Sequence, residues 1–100
     1  MFTKKDKDNL AKFGNYGISA TVEKIHQVGN NNMVFFIQSN ELKSKNNPEG
    51  KLELIASMSR FSAASFKGKK CDITYNKKRN EILGIKSTSE DGVYSGPVEV

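Results

Sequence analysis

Lys67, Lys69, Lys70, Lys77, Lys78, Arg79 and Lys86 crowd one short stretch, with only Asp72 and Glu81 against them. That local excess equals the net charge of +5 carried by the whole chain. Ammonium and guanidinium groups at this density draw polyanions, and nucleic acid is the commonest for a small basic protein. Phe35 and Phe36 are adjacent, so in an extended segment their rings point to opposite faces. Whichever faces outward is a platform for a flat ring. Tyr16 is a weaker platform of the same kind, and Lys24 and Lys51 add cations on other strand-like segments. The candidate set is therefore Tyr16, Lys24, Phe35, Phe36, Lys51, Lys69, Lys70, Lys77, Lys78, Arg79 and Lys86. Its chemistry is to neutralise a sugar-phosphate chain while stacking unpaired bases, an interaction worth about 1–3 kcal/mol per base. Each signal has a plainer reading beside it. A basic turn can be a solvated turn whose lysines guard an edge strand, and an outward phenylalanine can pack in an interface.

Bond-making chemistry finds little to work with. His26 is the only histidine, and no carboxylate pair, thiolate or nucleophile stands near it in sequence to complete a catalytic constellation. Cys71 is the only cysteine, so an internal disulfide is impossible, and its place in an apolar alternation marks a buried small hydrophobe. One histidine and one distant cysteine do not close a zinc site. The eight glycines are scattered rather than gathered in a phosphate loop. The expectation is a protein that is not an enzyme and needs no metal or cofactor.

The elements that must hold these residues follow from apolar spacing. From Gly17 to Val28, Ile18, Ala20 and Val22 alternate with Ser19, Thr21 and Glu23. Ile25 and Val28 then break phase, as a β-bulge does when a long strand has to curl. Gly29-Asn30-Asn31-Asn32 is a turn. Met33 to Ser39 is a second strand, with Met33, Phe35 and Ile37 on one face and Val34, Phe36 and Gln38 on the other. Residues 40–50 are a polar loop. Lys51 to Met58 is a third strand, with Leu52, Leu54, Ala56 and Met58 on one face and Ile55 opposite. Ser59 to Phe66 fits a short helix, capped by Ser59 and closed by Gly68, with Phe61, Ala64 and Phe66 as its apolar positions. Phe61 and Phe66 are assigned to the core. Cys71, Ile73 and Tyr75 mark a fourth strand, Asn76–Asn80 a turn, and Glu81 to Lys86 a fifth strand carrying Ile82, Leu83 and Ile85. Ahead of these, Leu10 and Phe13 are spaced for one turn of an amphipathic helix, or belong to a frayed arm.

The phrase Gly68-Lys69-Lys70-Cys71-Asp72-Ile73-Thr74, a turn, and Glu81-Ile82-Leu83-Gly84-Ile85 resembles the last hairpin of the OB-fold. That fold is a five-stranded Greek-key barrel with a helix between its third and fourth strands. The chain order β-β-β-α-β-β over residues 16–87 is similar to it throughout. Size, basic balance and acidic tail resemble the single-strand-binding proteins of bacteria and phages. The resemblance implies an all-β barrel with one short helix. It implies a ligand laid across the second and third strands and flanked by the first–second and fourth–fifth turns. That places single-stranded nucleic acid, DNA ahead of RNA, against Phe35 or Phe36, the Asn30–Asn32 turn and the Lys77–Arg79 turn.

Length and composition set the remaining bounds. One hundred residues make one domain, read as an N-terminal arm or short helix (1–15), the barrel (16–87) and an acidic tail (88–100). A chain this short buries about 60–65% of its unfolded surface, so a homodimer is an economical way to hide more. With 36% hydrophobic residues and no Trp the chain is polar, yet its apolar residues cluster as a folded core requires. No run is long enough to span a membrane, and the first residues lack a signal peptide's apolar stretch, so a reducing cytoplasm is expected. A phage or other mobile element is an expected source. The competing function is a small protein-interaction barrel, an inhibitor or adaptor subunit, with an exposed Phe and Ile55 as its partner patch.

Overall fold

The computed structural model describes residues 2–88. The acidic tail, Tyr94 included, lies outside the described residues beyond Thr88. The chain begins with a helix, α1 (Lys4–Ala11), whose start is fixed by a capping box. Thr3 Oγ1 accepts from the Asp6 N–H and Asp6 Oδ2 accepts from the Thr3 N–H, both at 3.1 Å. The strands are β1 (Asn15–Gln27), β2 (Asn32–Gln38), β3 (Lys51–Ser57), β4 (Lys70–Asn76) and β5 (Glu81–Ser87). A single 3-10 turn, Asn40–Leu42, interrupts the β2–β3 loop, and α2 (Arg60–Ala64) sits between β3 and β4. Ser59 caps α2 by accepting from the Ser62 N–H, and Gly68 at φ +76° ends the segment in a backbone region closed to most residues.

The strands form one sheet whose neighbours run β1-β2-β3-β5-β4 and which closes on itself, because β1 serves two partners. Its first half, Asn15–Thr21, pairs antiparallel with β4, and its second half, Thr21–Gln27, pairs antiparallel with β2. The register slips between Val22 and Lys24, at the phase break visible in the sequence, and this slip lets one 13-residue strand turn from one partner to the other. In space β5 lies between β3 and β4, so neighbours in the sheet are not all neighbours along the chain. The β3–β5 seam is parallel and thin, resting on the Ile55↔Glu81 pairing and on the Ile55 N–H donating to the Asn80 carbonyl at 2.8 Å.

Ile18, Ala20 and Val22, then Met33, Phe35 and Ile37, then Leu54 and Ala56, then Cys71, Ile73 and Tyr75 turn inward as their alternation demands. Burial pushes the Cys71 thiol up to about 11, the behaviour of a core residue rather than a reactive one. Phe66 closes the core from beneath α2, but Phe61 does not join it and is 91% exposed. The reason is angular. Ala63 is the inward residue of α2, and Phe61, two residues before it, lies about 200° away around the helix. Ala63, not Ala64, is the buried alanine. Leu83 is likewise outward, displaced by an irregularity that pairs Tyr75 with Ile82 and Thr74 with Gly84. Phe13 falls beyond the end of α1 and is 78% exposed, while Leu10 is half-buried. The anchor of the N-terminal segment is Phe2. A Cβ on Gly17 would lie 2.7 Å from its ring, so only glycine lets the ring settle against β1 there.

Candidate functional site

Two of the candidate rings are accessible, each with an ammonium group over it: Tyr16 at the open end of the sheet, on the same alternation as Ile18 and Ala20, and Phe36 partly exposed on the outer face of β2. Phe35 belongs to the core, which leaves Phe36 as the outward member of the pair. Phe36 pairs across β1–β2 with Lys24, whose Nζ lies 5.5 Å from the ring centroid. On its other side it pairs with Glu53. Tyr16, near the start of β1, holds the Lys77 Nζ at 5.2 Å and meets the Tyr75 ring edge-on at 5.8 Å. Both distances fall within cation–π range.

Lys77 is brought to Tyr16 by the β4–β5 turn, and the turn is fixed by its own asparagines. Asn76 Oδ1 accepts from the Arg79 N–H at 3.0 Å, and Asn76 Nδ2 donates to Asn15 Oδ1 at 3.0 Å. Asn80 takes the left-handed conformation at φ 51°, which asparagine tolerates better than most residues. Lys77, Lys78 and Arg79 are exposed together at this end of the molecule.

Beneath Tyr16 opens a cleft of about 550 Å³, within the range of about 300–1,000 Å³ common for ligand pockets. Ile18, Leu42 and Leu52 supply apolar lining; Lys43, Lys77 and Asn80 supply polar groups. A neighbouring hollow of about 340 Å³, bordered by Lys51, Leu52, Glu53 and Asn80, shares Leu52 and Asn80 with it. Glu53 is the cross-strand neighbour of Phe36, but Phe36 itself borders neither the cleft nor this hollow. Charge around the two rings is uneven. Glu23 lies 3.9 Å from Lys51, and with Glu53 it offsets Lys24 and Lys51, so the Phe36 end is nearly balanced and the Tyr16 end is cationic.

The cleft wall is tied by one carboxylate. Glu41 Oε1 accepts from Lys7 Nζ at 2.6 Å, and Oε2 accepts from the Ser19 N–H at 2.8 Å. Partial burial pushes this carboxyl up, but the Lys7 and Ser19 hydrogen bonds and the charges of Lys7 and Lys70 outweigh it and hold the group below the usual carboxylate range. Burial raises the Tyr75 hydroxyl, aided by neighbouring Tyr16 and by the Glu41 charge.

The remaining predicted residues are dispersed. Lys69 stands where β1 meets the end of the α2 segment, its carbonyl accepting from the Val22 N–H. Lys70 lines a second cavity, about 390 Å³, with Thr21, Gln38 and Phe2. Lys86 pairs across β4–β5 with Asp72, beside Asp6 and Leu10 of α1. The N-terminal segment thus stands between Lys86 and the cleft. Lys7, Leu42, Lys43, Leu52 and Asn80 were not singled out by sequence. Leu52 lies on an apolar alternation and Lys43 in a polar loop, and neither pattern says which residues a closed sheet gathers at its mouth. His26 is exposed, and among the described residues no group of three or more His, Cys, Asp or Glu side chains is placed to hold a metal. No helix among the described residues is long and apolar enough to cross a membrane. The chain matches no family model, no curated protein and no solved structure.

Proposed function

We propose that this protein binds single-stranded nucleic acid without chemistry, by stacking bases on Tyr16 and Phe36 while Lys43, Lys77, Lys78 and Arg79 neutralise the backbone. The observation that carries the reading is the exposed Tyr16 ring, with the Lys77 Nζ over it, at the mouth of a ligand-sized cleft; the partly exposed Phe36 ring beside Lys24, on the outer face of β2, is a second platform. Support also comes from the sheet. A closed five-stranded sheet with β5 inserted between β3 and β4, and a helix between β3 and β4, is a Greek-key arrangement suited to an OB-type barrel. In that fold the β2–β3 face and the β4–β5 turn carry oligonucleotides, and here they carry Phe36 and Lys77–Arg79.

Stacking and backbone neutralisation read neither base sequence nor, by themselves, the 2′-hydroxyl. Little sequence preference is expected. Fluorescence anisotropy of a labelled oligothymidylate, titrated at several salt concentrations, tests the proposal. Binding that weakens as salt rises, and that Y16A and F36A each weaken by about 1–3 kcal/mol, supports it. A protein that ignores the oligonucleotide at low salt refutes it.

One observation favours the alternative of a protein partner. Val34 and Ile55 face each other outward across β2–β3, and Ile55 is about half exposed. A partner retained on immobilised protein after nuclease treatment, and lost with Ile55→Lys, would favour that reading over the first.

A further inference from the structure

The floor of the Tyr16 cleft is sheet, but one wall, Leu42–Ser44, belongs to the long β2–β3 loop. A loop wall needs a tether to keep a ligand-sized gap. The tether visible here converges on Glu41. Its Oε1 reaches Lys7 of α1 and its Oε2 reaches the Ser19 N–H of β1. Ser39 completes the knot: its Oγ donates to the Ser19 carbonyl at 2.7 Å and accepts from the Glu41 N–H at 3.1 Å. Ser39 is buried, and its own N–H donates to the Gly50 carbonyl at the far end of the same loop. Lys7 and Glu41 also border both the cleft and the cavity that holds Lys70, so the ion pair stands between the two spaces.

We propose that Glu41 is the positioning residue of the nucleic-acid cleft, holding the Leu42–Ser44 wall at the distance from Tyr16 that admits a base, through its paired bonds to Lys7 and Ser19. This rests on the nucleic-acid reading above. It makes a counter-intuitive demand. Glu41 is an acid in a site for a polyanion, and on charge alone its removal should tighten binding. A positioning role requires the opposite sign.

The experiment compares the parent protein with E41A and with S39A, which leaves the charge unchanged. Each is titrated with labelled oligothymidylate over a salt series, and folding is checked by circular dichroism. Expected is binding at least tenfold weaker for E41A and several-fold weaker for S39A, with the slope of log K against log salt unchanged because the phosphate-contacting cations remain. If E41A binds as tightly as the parent or more tightly while folded, the positioning role is overturned and the nucleic-acid reading survives. A slope that falls along with affinity overturns it too, since phosphate contacts would then be what was lost. Should E41A fail to fold, S39A decides alone, and parental affinity overturns the proposal. If the parent itself does not bind at low salt, the functional reading falls and this inference falls with it.

Discussion

Gly50 shows how much a single backbone position decides. It sits at φ +67°, and a Cβ there would run into the carbonyl oxygen of Ser39. That carbonyl belongs to the residue that knots the loop to β1, and the Gly50 carbonyl accepts from the Ser39 N–H at 2.8 Å. Close approach of the two chains and a left-handed conformation are therefore required together, which only glycine supplies without strain. Gly50→Ala is expected to cost about 1–3 kcal/mol from backbone strain, with more from the collision. Urea unfolding should show a lower midpoint at an unchanged slope, and a midpoint equal to the parent's would contradict the account. Asn80 is a milder case of the same rule, tolerated because asparagine enters this region at small cost.

At the scale of elements, what could be read ahead followed from periodicity, and what could not followed from its absence. The alternations at Ile18–Val22, Met33–Ile37 and Cys71–Tyr75 placed their strands and inward faces, and the phase break after Val22 marked where β1 changes partner. Phe2 has no signature in the sequence, because a ring so near the first residue belongs to no repeat and its partner is a glycine with no side chain to signal contact. Phe61 misled because apolar character in a five-residue helix does not fix its facing; one turn leaves too few positions to define a stripe. Neither the Glu41 tether nor the cleft had a local signature, since Lys7, Ser19, Ser39 and Glu41 meet only through the fold. That tether has a measurable pH signature. The folded-state carboxyl is depressed, so its contribution is present above the ordinary glutamate range, about 4.3. It is lost as pH falls through the folded value. Melting temperatures of the parent and of E41Q should therefore differ at pH 7 and converge under acid conditions. A difference that persists unchanged at pH 2 would show that the carboxylate's charge is not what stabilises the loop. The side chain is partly exposed, so the difference belongs at the small end for ion pairs.

For the whole molecule, the question is whether the +5 charge acts as one field or through one face. The sequence places seven cations in one stretch, yet the fold sends them apart. Lys77, Lys78 and Arg79 stand at the cleft end of β4, while Lys67 lies beyond α2 and Lys86 lies beside α1 with Asp72, Asp6 and Leu10. On the proposed reading, a strand held at the Tyr16 cleft meets the first group directly and the second only through screened potential, which fades over about 8 Å at physiological salt. Counterion release makes the distinction quantitative. Each neutralised phosphate on a single strand adds about 0.7 to the slope of log K against log salt, so contacts by Lys43, Lys77, Lys78 and Arg79 imply a slope near −3. Removing two of them in K77Q/K78Q should reduce its magnitude by about 1.4, whereas K67Q/K86Q, with the same loss of net charge, should leave it almost unchanged. Equal reductions from the two double variants would mean that the strand wraps past α1, or that net charge alone does the binding. In either event the Tyr16 cleft would lose its claim to be the place where the backbone is held.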